Sequence, residues 1–138
     1  MYLLDTNVVS ELRTVHIGKG NESVARWSAS KKLEDLYVSV ITIEELEIGV
    51  LGISRYDSSQ GQILNGWLND QVLTAFAGRI LPVDLRVART SARLHVPNPR
   101  PVRDAMIAAT AIVHGLTLVT RNTKDFDKAD VNVLNPWS

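Results

Sequence analysis

The N-terminal sequence Tyr2-Leu3-Leu4-Asp5-Thr6-Asn7 is the segment that decides the fold. Its apolar run predicts a short strand that is buried on both faces, as in the middle of a parallel sheet. Asp5, Thr6 and Asn7 then offer residues that cap helices, so a short helix should follow directly. An acidic residue therefore stands at the carboxyl end of a central strand.

Strand and helix patterns alternate along the rest of the chain. We predict further strands at 36–41, 79–82, 116–120 and 131–134, and helices at 21–29, 42–51, 63–76, 101–114 and from Asp84 onward, with residues 14–20 and 54–61 as loops or turns and 121–127 as a loop or short helical turn. This alternation predicts an α/β fold with a parallel sheet and right-handed crossovers. The stripe 63–76 indicates a helical hairpin arm, and the absence of a linker indicates one domain, 1–138.

Composition limits the classes of function. The chain has 138 residues, 45% of them hydrophobic, which suits a single buried core. Its 15 basic and 15 acidic residues cancel, so nucleic-acid binding by overall charge is not expected. The lack of cysteine excludes a thiol nucleophile and a cysteine zinc site. No secretory segment or membrane span is visible, so a soluble cytoplasmic protein is expected.

Four acidic positions are expected to meet at one edge of the sheet. Asp5 directly follows the first strand, and Glu45 lies in the first turn of the helix after the second strand. Asp125, with Asn122 nearby, follows the strand 116–120, and Asp104 opens the helix that leads back into that strand. Because sites in parallel sheets form outside the carboxyl ends of the strands, these four segments should converge.

Each acid also has a structural explanation. Asp5 can cap a helix, Thr42 to Glu45 fit a capping box, and Asp104 suits the N-terminal end of a helix dipole. Taken together these explanations weaken, because crowded carboxylates repel one another unless a cation neutralises them. Oxygen ligands without histidine or cysteine suit Mg²⁺ or Mn²⁺, which can activate water for phosphodiester cleavage.

Four ordered segments resemble the motifs of PIN-domain proteins, most closely the VapC/FitB-type toxins of bacterial toxin–antitoxin pairs. They are Leu4–Asn7, Ile41–Gly49, Asp104–Ala111 and Leu118–Phe126. The resemblance spans nearly the whole chain. It implies a PIN-like three-layer fold with strand order 3-2-1-4-5. It also implies a metal-dependent endoribonuclease, a homodimer, and a cognate antitoxin whose C-terminal segment blocks the site and through which operator DNA is bound.

The resemblance also assigns roles to particular residues. It implies Asp5, Glu45, Asp104 and Asp125 as catalytic residues, and its glutamate precedes Leu and stands four residues before Gly, which selects Glu45 over Glu44. Asp5, Asp104 and Asp125 are the implied metal ligands. Either Asn122 or Asp125 completes the site, so one-metal and two-metal arrangements both remain open.

Several polar residues accompany the acids in these segments. Thr6, Asn7, Thr120 and Asn122 can orient metal ligands or waters, although caps and strand ends explain Thr6, Asn7 and Thr120 equally well. Arg103, Arg121 and Lys124 flank the acidic edge and can contact RNA phosphates, or can be ordinary surface charge. The three histidines form no metal-ligand pattern.

Two other functional classes compete with a ribonuclease. The first is a binding module that acts with its antitoxin in autoregulation on operator DNA. The second is a phosphotransfer receiver domain, which also gathers acids at the edge of a parallel sheet, but the positions of Glu45 and Asp104 fit that class poorly. Metal-dependent cleavage of RNA by the isolated protein distinguishes the ribonuclease from the binding module.

Overall fold

The computed structural model describes residues 1–126 and 130–138. Five parallel strands form one sheet in the order β3-β2-β1-β4-β5. The strands are β1 (Tyr2–Leu4), β2 (Leu36–Ser39), β3 (Ile80–Leu81), β4 (Thr117–Val119) and β5 (Val133–Leu134). Both the predicted α/β class and the strand order 3-2-1-4-5 are confirmed.

Helices cover the two faces of this sheet. They are α1 (Thr6–His16), α2 (Glu22–Ala29), α3 (Val40–Ser54), α4 (Ser58–Gly66), α5 (Leu73–Ala75), α6 (Leu85–Leu94) and α7 (Val102–His114), with a π-helical segment Trp67–Val72 and 3₁₀ turns at Leu33–Asp35 and Thr123–Phe126. In the part of the chain that the structure describes, none of these helices is long and apolar enough to span a membrane.

The central strand β1 contributes side chains to both halves of the hydrophobic core. Leu3 and Leu4 are fully buried, and because neighbouring strand residues point to opposite faces they join different clusters. Leu4 packs with residues of α1 and the π-helical segment, whereas Leu3 packs with Ile107 of α7. This burial on both faces explains why the N-terminal strand has no polar residue before Asp5.

The junction between β2 and α3 differs from the prediction. The strand was expected to reach Ile41, but α3 already begins at Val40 because the Ser39 hydroxyl accepts a hydrogen bond of 3.0 Å from the Ile41 N–H. This N-cap outweighs the β-propensity of Val40 and Ile41. The capping box expected at Thr42 is therefore absent, and Glu45 lies in the second turn of α3 rather than the first.

Two predicted loops are partly helical. Helix α1 continues to His16, and α4 begins at Ser58 because Asp57 Oδ1 accepts a hydrogen bond of 3.0 Å from the Gln60 N–H. The turn predicted within 121–127 is present at Thr123–Phe126, whereas Asp127 lies outside the described residues.

A helical arm was predicted for residues 63–76, but only 63–66 of this stripe belong to α4, and the rest continues through the π-helical segment into α5. The helical arm of the structure is instead the hairpin of α3 and α4. Gly61 permits their close approach, since a Cβ at this position would lie 2.7 Å from the Ser54 Cα. Tyr56, between the two helices, is exposed, whereas Leu68 and Val72 further along the chain are buried in the core.

Candidate active site

Asp5 lies at the centre of the acidic edge. Its N–H donates to the Val119 carbonyl at 2.9 Å, which continues the pairing of β1 with β4 to the last residue before α1. Its Oδ1 accepts a hydrogen bond of 2.8 Å from the Thr6 N–H and so caps α1. The side chain is only 6% exposed. Asp5 therefore does act as a helix cap, yet one oxygen suffices for that role.

The second oxygen of Asp5 is held by Thr120, at the end of β4. The Thr120 hydroxyl donates to Asp5 Oδ2 at 2.8 Å and accepts hydrogen bonds from the Asn122 N–H at 3.0 Å and the Asn7 side-chain amide at 3.5 Å. Because a hydroxyl has one hydrogen, these two N–H groups commit it to Asp5. The carboxylate is thus fixed in orientation from both sides.

Glu45 reaches the same edge from α3. Its Oε1 accepts a hydrogen bond of 2.6 Å from the Thr6 hydroxyl, whose oxygen lies 3.1 Å from the hydroxyl of the fully buried Thr42. Thr42 stands three residues before Glu45, so both lie on one helix face. Glu44 is exposed to solvent. The structure thus brings Glu45, and not Glu44, beside Thr6.

Arg103 pairs with Glu45 across the cleft. Its Nε lies 3.3 Å from Glu45 Oε2, and the Arg103 side chain is still half exposed. The guanidinium has five N–H donors, so binding to one carboxylate oxygen leaves others available to a phosphate. Arg103 was expected to be a phosphate contact, and the structure adds its contact with the acidic cluster.

Asp104, in the first turn of α7, is half buried at this edge. Burial raises the pKa of its carboxyl group above the ordinary value, and the nearby acids Asp5, Glu45 and Asp125 raise it further, while Arg103 lowers it. Burial also raises the pKa of Asp5, against the hydrogen bonds from Thr120 and the Thr6 N–H, and Glu45 and Asp125 add repulsion. The four acids are therefore electrostatically coupled.

Asp125 approaches from the turn after β4 and is exposed. Arg100 connects this turn to the end of α6. Its Nη1 donates to the Asp125 carbonyl at 2.8 Å, and its Nε donates to the Leu94 carbonyl at 2.9 Å. The Asn122 side chain is exposed as well, and its N–H bonds to Thr120. Which of Asn122 and Asp125 completes the site stays a prediction.

The remaining predicted residues lie around this cluster. Asn7 Oδ1 accepts from the Arg121 N–H at 3.4 Å, and the Arg121 guanidinium lies 5.3 Å from the ring centre of Trp137. Lys124 is exposed in the same turn as Asp125. Sequence reasoning missed the contact of Thr42 with Thr6 and the anchoring role of Arg100, because neither pairing of distant segments leaves a local signal.

The donor chemistry of this edge fits a hard divalent cation. All of its acidic groups offer carboxylate oxygens, which Mg²⁺ and Mn²⁺ prefer. Burial, and then the charges of the neighbouring acids, raise the pKa of Asp5 and Asp104, so a bound cation would favour the ionised form of both groups. Among residues 1–126 and 130–138, no three acidic or histidine side chains form a preassembled metal cage. The acids thus lie close enough to repel one another without enclosing an ion.

Comparison with known proteins gives the class. The PIN domain model matches residues 2–132, and the chain belongs to the PIN-domain family. Among its relatives is the toxin FitB of Neisseria gonorrhoeae, which is 44% identical over an alignment of 144 positions that covers 99% of each chain. The VapC ribonuclease Y4jK of Sinorhizobium fredii is 36% identical over 99% of this chain and 98% of its own.

Solved structures give the same assignment. The structure of FitAB bound to the IR36 DNA fragment contains a chain that superposes with a TM-score of 0.89 at 39% identity, covering 100% of this chain and 96% of the other. The protein is therefore similar in fold and sequence to FitB and VapC proteins over its whole length, as its four motifs indicate.

Proposed function

We propose that this protein is a Mg²⁺- or Mn²⁺-dependent endoribonuclease, the toxin of a toxin–antitoxin pair that acts in the cytoplasm. One observation carries the proposal: acids from four separate segments lie near enough to the carboxyl edge of the sheet for Glu45 and Asp125 to raise the pKa of both the buried Asp5 and Asp104. A ribonuclease activity is also named for the relative Y4jK.

Asp5, Asp104 and Asp125 are the residues that would hold the ion. A bound divalent ion supplies positive charge for the phosphodiester oxygens and lowers the pKa of a bound water. The protein prepares the ligands in advance, since Thr120 and the Thr6 N–H orient both oxygens of Asp5. Such preorganisation avoids the cost of ordering the ligand when substrate binds.

Glu45 and the basic residues complete the proposed chemistry. The Thr6 hydroxyl donates to Glu45 Oε1 and so orients the carboxylate. The oxygens of this carboxylate can each accept a further hydrogen bond, from a water at the site. Arg103 balances the charge of Glu45 and has free donors for a phosphate oxygen. The exposed Arg121 and Lys124 would contact further phosphates of the RNA.

The partner proposed for this protein is an antitoxin, in an assembly with a homodimer of the toxin. A groove lined by Thr6, Glu45 and Trp67, among others, adjoins an apolar groove that shares Trp67 and Arg13. A segment lying along both would reach Glu45 and block the site. The relative FitB belongs to the FitAB assembly on DNA, which supports this partner.

A second candidate function is a binding module that acts mainly on operator DNA through its antitoxin. The FitAB–DNA structure favours it as well. On this alternative the DNA contacts come chiefly from the partner, in keeping with the zero net charge of this chain. Nuclease activity of the isolated protein separates the two candidates.

The deciding experiment measures RNA cleavage by protein purified free of antitoxin, with Mn²⁺ or with EDTA, and maps the new ends. We expect cleavage only with metal, leaving 5′-phosphate and 3′-hydroxyl ends. Asp5→Asn, Asp104→Asn and Glu45→Gln should each lower the rate by more than about 100-fold. Glu44→Gln is the matched control and should cleave like wild type. Cleavage at the wild-type rate by Asp5→Asn or Asp104→Asn would show that the assigned site is wrong.

A further inference from the structure

A strongly basic segment lies between the acids of this otherwise neutral chain. From Leu85 to Arg103 the sequence contains five arginines and no acidic residue. Arg103 pairs with Glu45 and Arg100 bonds to backbone carbonyls, so both have structural partners. Arg86, Arg89 and Arg93, which we name the arginine track, have a different arrangement.

The arginine track lies along one face of α6. Its members stand three and four residues apart, the spacing that places helix side chains in a row. All three are exposed, and with Thr90, Ile112 and Val113 they line a cavity of about 340 Å³ between α6 and α7. The structure records no ion pair between them and any residue of 1–126 or 130–138.

The track leads to the acidic edge. Arg93 also lines a second cavity, of about 240 Å³, together with Asn98 and Arg100. Arg100 is bonded to the carbonyl of Asp125. Arg93 thus lines both cavities, and Arg100, at the second one, contacts the turn that carries Asp125.

We infer that the arginine track binds the phosphate backbone of the RNA strand that enters the acidic site; this inference rests on the proposed function. The clustered carboxylates repel a polyanion, so attraction must come from elsewhere on the surface. Arg86 and Arg93 are about 10 Å apart along the helix. Because this distance is comparable to the Debye length at physiological salt, the positive charges of the track act together on one strand. The planar guanidinium fork also matches phosphate oxygens in two-point contacts. An acidic peptide has no comparable reason to extend towards a cluster of acids.

The test compares the triple variant Arg86→Gln/Arg89→Gln/Arg93→Gln with wild type in binding a single-stranded RNA, by fluorescence anisotropy in EDTA at several salt concentrations. Plotted as log K against log salt, the affinity falls with a negative slope, and each lost phosphate contact makes this slope less steep by about 0.7. We therefore expect the slope of the triple variant to be less steep than that of wild type by about 2. The ratio of wild-type affinity to variant affinity should accordingly shrink about 20-fold between about 50 and 200 mM salt.

The matched control removes the same charge elsewhere. Lys19, Arg26 and Lys32 are exposed residues in and beside α1 and α2, on the other side of the sheet. The variant Lys19→Gln/Arg26→Gln/Lys32→Gln should keep the wild-type slope. Equal loss in the two triple variants would overturn the inference, because it would show a nonspecific charge effect.

Two further ligands decide what the track recognises. Duplex DNA and polyglutamate are measured with the same variants, and the inference is overturned if either depends on the track as strongly as the RNA does. Because binding is measured in EDTA, it does not depend on cleavage. Absence of nuclease activity with a normal RNA-binding result would contradict only the proposed function, whereas normal cleavage with an unchanged slope would contradict only the arginine track.

Discussion

The Thr120 hydroxyl donates a hydrogen bond of 2.8 Å to Oδ2 of Asp5, and it connects two buried residues that are 115 positions apart in the chain. Both stand at the carboxyl ends of adjacent strands, β1 and β4. The bond therefore exists because the sheet places these strands side by side. It makes the orientation of the central carboxylate a property of the whole fold.

The first prediction concerns this bond. Thr120→Val keeps the shape of the side chain but removes the donor, so Asp5 loses its orientation. We expect Mn²⁺ affinity, measured by titration calorimetry, to fall about 10- to 100-fold, and cleavage to fall with it. Thr120→Ser should restore both. Thr110→Val is the matched control, since that buried hydroxyl donates to the Met106 carbonyl within α7; a similar loss of metal affinity there would contradict a specific role for Thr120.

The second prediction concerns the pH dependence of stability without metal. Because the pKa of Asp104 is raised in the folded protein, the native state holds this proton more tightly than the unfolded chain. Stability from this group is thus full below the unfolded value of 3.8 and is lost as pH rises through the folded pKa. In EDTA, Asp104→Asn should therefore melt at a higher temperature than wild type at neutral pH, with the difference vanishing as pH falls below that window.

The control for this prediction is Glu34→Gln, which removes one exposed negative charge from the 3₁₀ turn before β2. It should not reproduce the gain in melting temperature. Adding Mn²⁺ should raise the melting temperature of wild type more than that of Asp104→Asn. A lower melting temperature for Asp104→Asn at neutral pH in EDTA would show that the burial of this carboxylate and its repulsion by the other acids are not a net cost.

The third prediction addresses the open position of the site. The negative charge of Asp125 raises the pKa of both Asp5 and Asp104, so Asp125 interacts electrostatically with these two acids. We expect Asp125→Asn to weaken Mn²⁺ binding by more than about tenfold, and Asn122→Ala to weaken it less, as for a residue outside the ligand set. The reverse order, measured by titration calorimetry, would assign the position to Asn122.

The fourth prediction tests the packing of the helical arm. Gly61→Ala would bring a methyl group against Ser54, and we expect the free energy of unfolding to fall by about 1–3 kcal/mol. Gly52→Ala is the matched control: a Cβ there meets nothing within 4 Å, so replacing glycine within α3 should stabilise the protein by about 0.5–1 kcal/mol. Urea unfolding measures both, and equal effects would show that the approach of α3 and α4 is not tight.

The sequence was informative wherever a local pattern sufficed. The apolar run before Asp5 predicted a central strand, and the alternation of elements predicted the parallel sheet. The four acidic segments were expected at one edge because a parallel sheet fixes where strands end, and the structure brings them there. The roles of their residues in catalysis stay predictions.

The errors have physical causes. The start of α3 was misplaced because Val40 and Ile41 favour a strand by themselves, and only the Ser39 cap turns the chain into a helix. The contact between Thr42 and Thr6 and the bond from Arg100 to the Asp125 turn join segments far apart in sequence. Propensity and periodicity describe neighbours along one element, so they contain no information about such pairs.

The position of β1 has a consequence for the newly made protein. Asp5 is made 115 residues before Thr120, which follows β4, and the turn that carries Asp125 is made later still. A chain still in synthesis therefore lacks the partner that orients its central carboxylate. On the proposed function, a chain that has not yet added β4 and Thr120 has no oriented Asp5 carboxylate and should not cleave RNA.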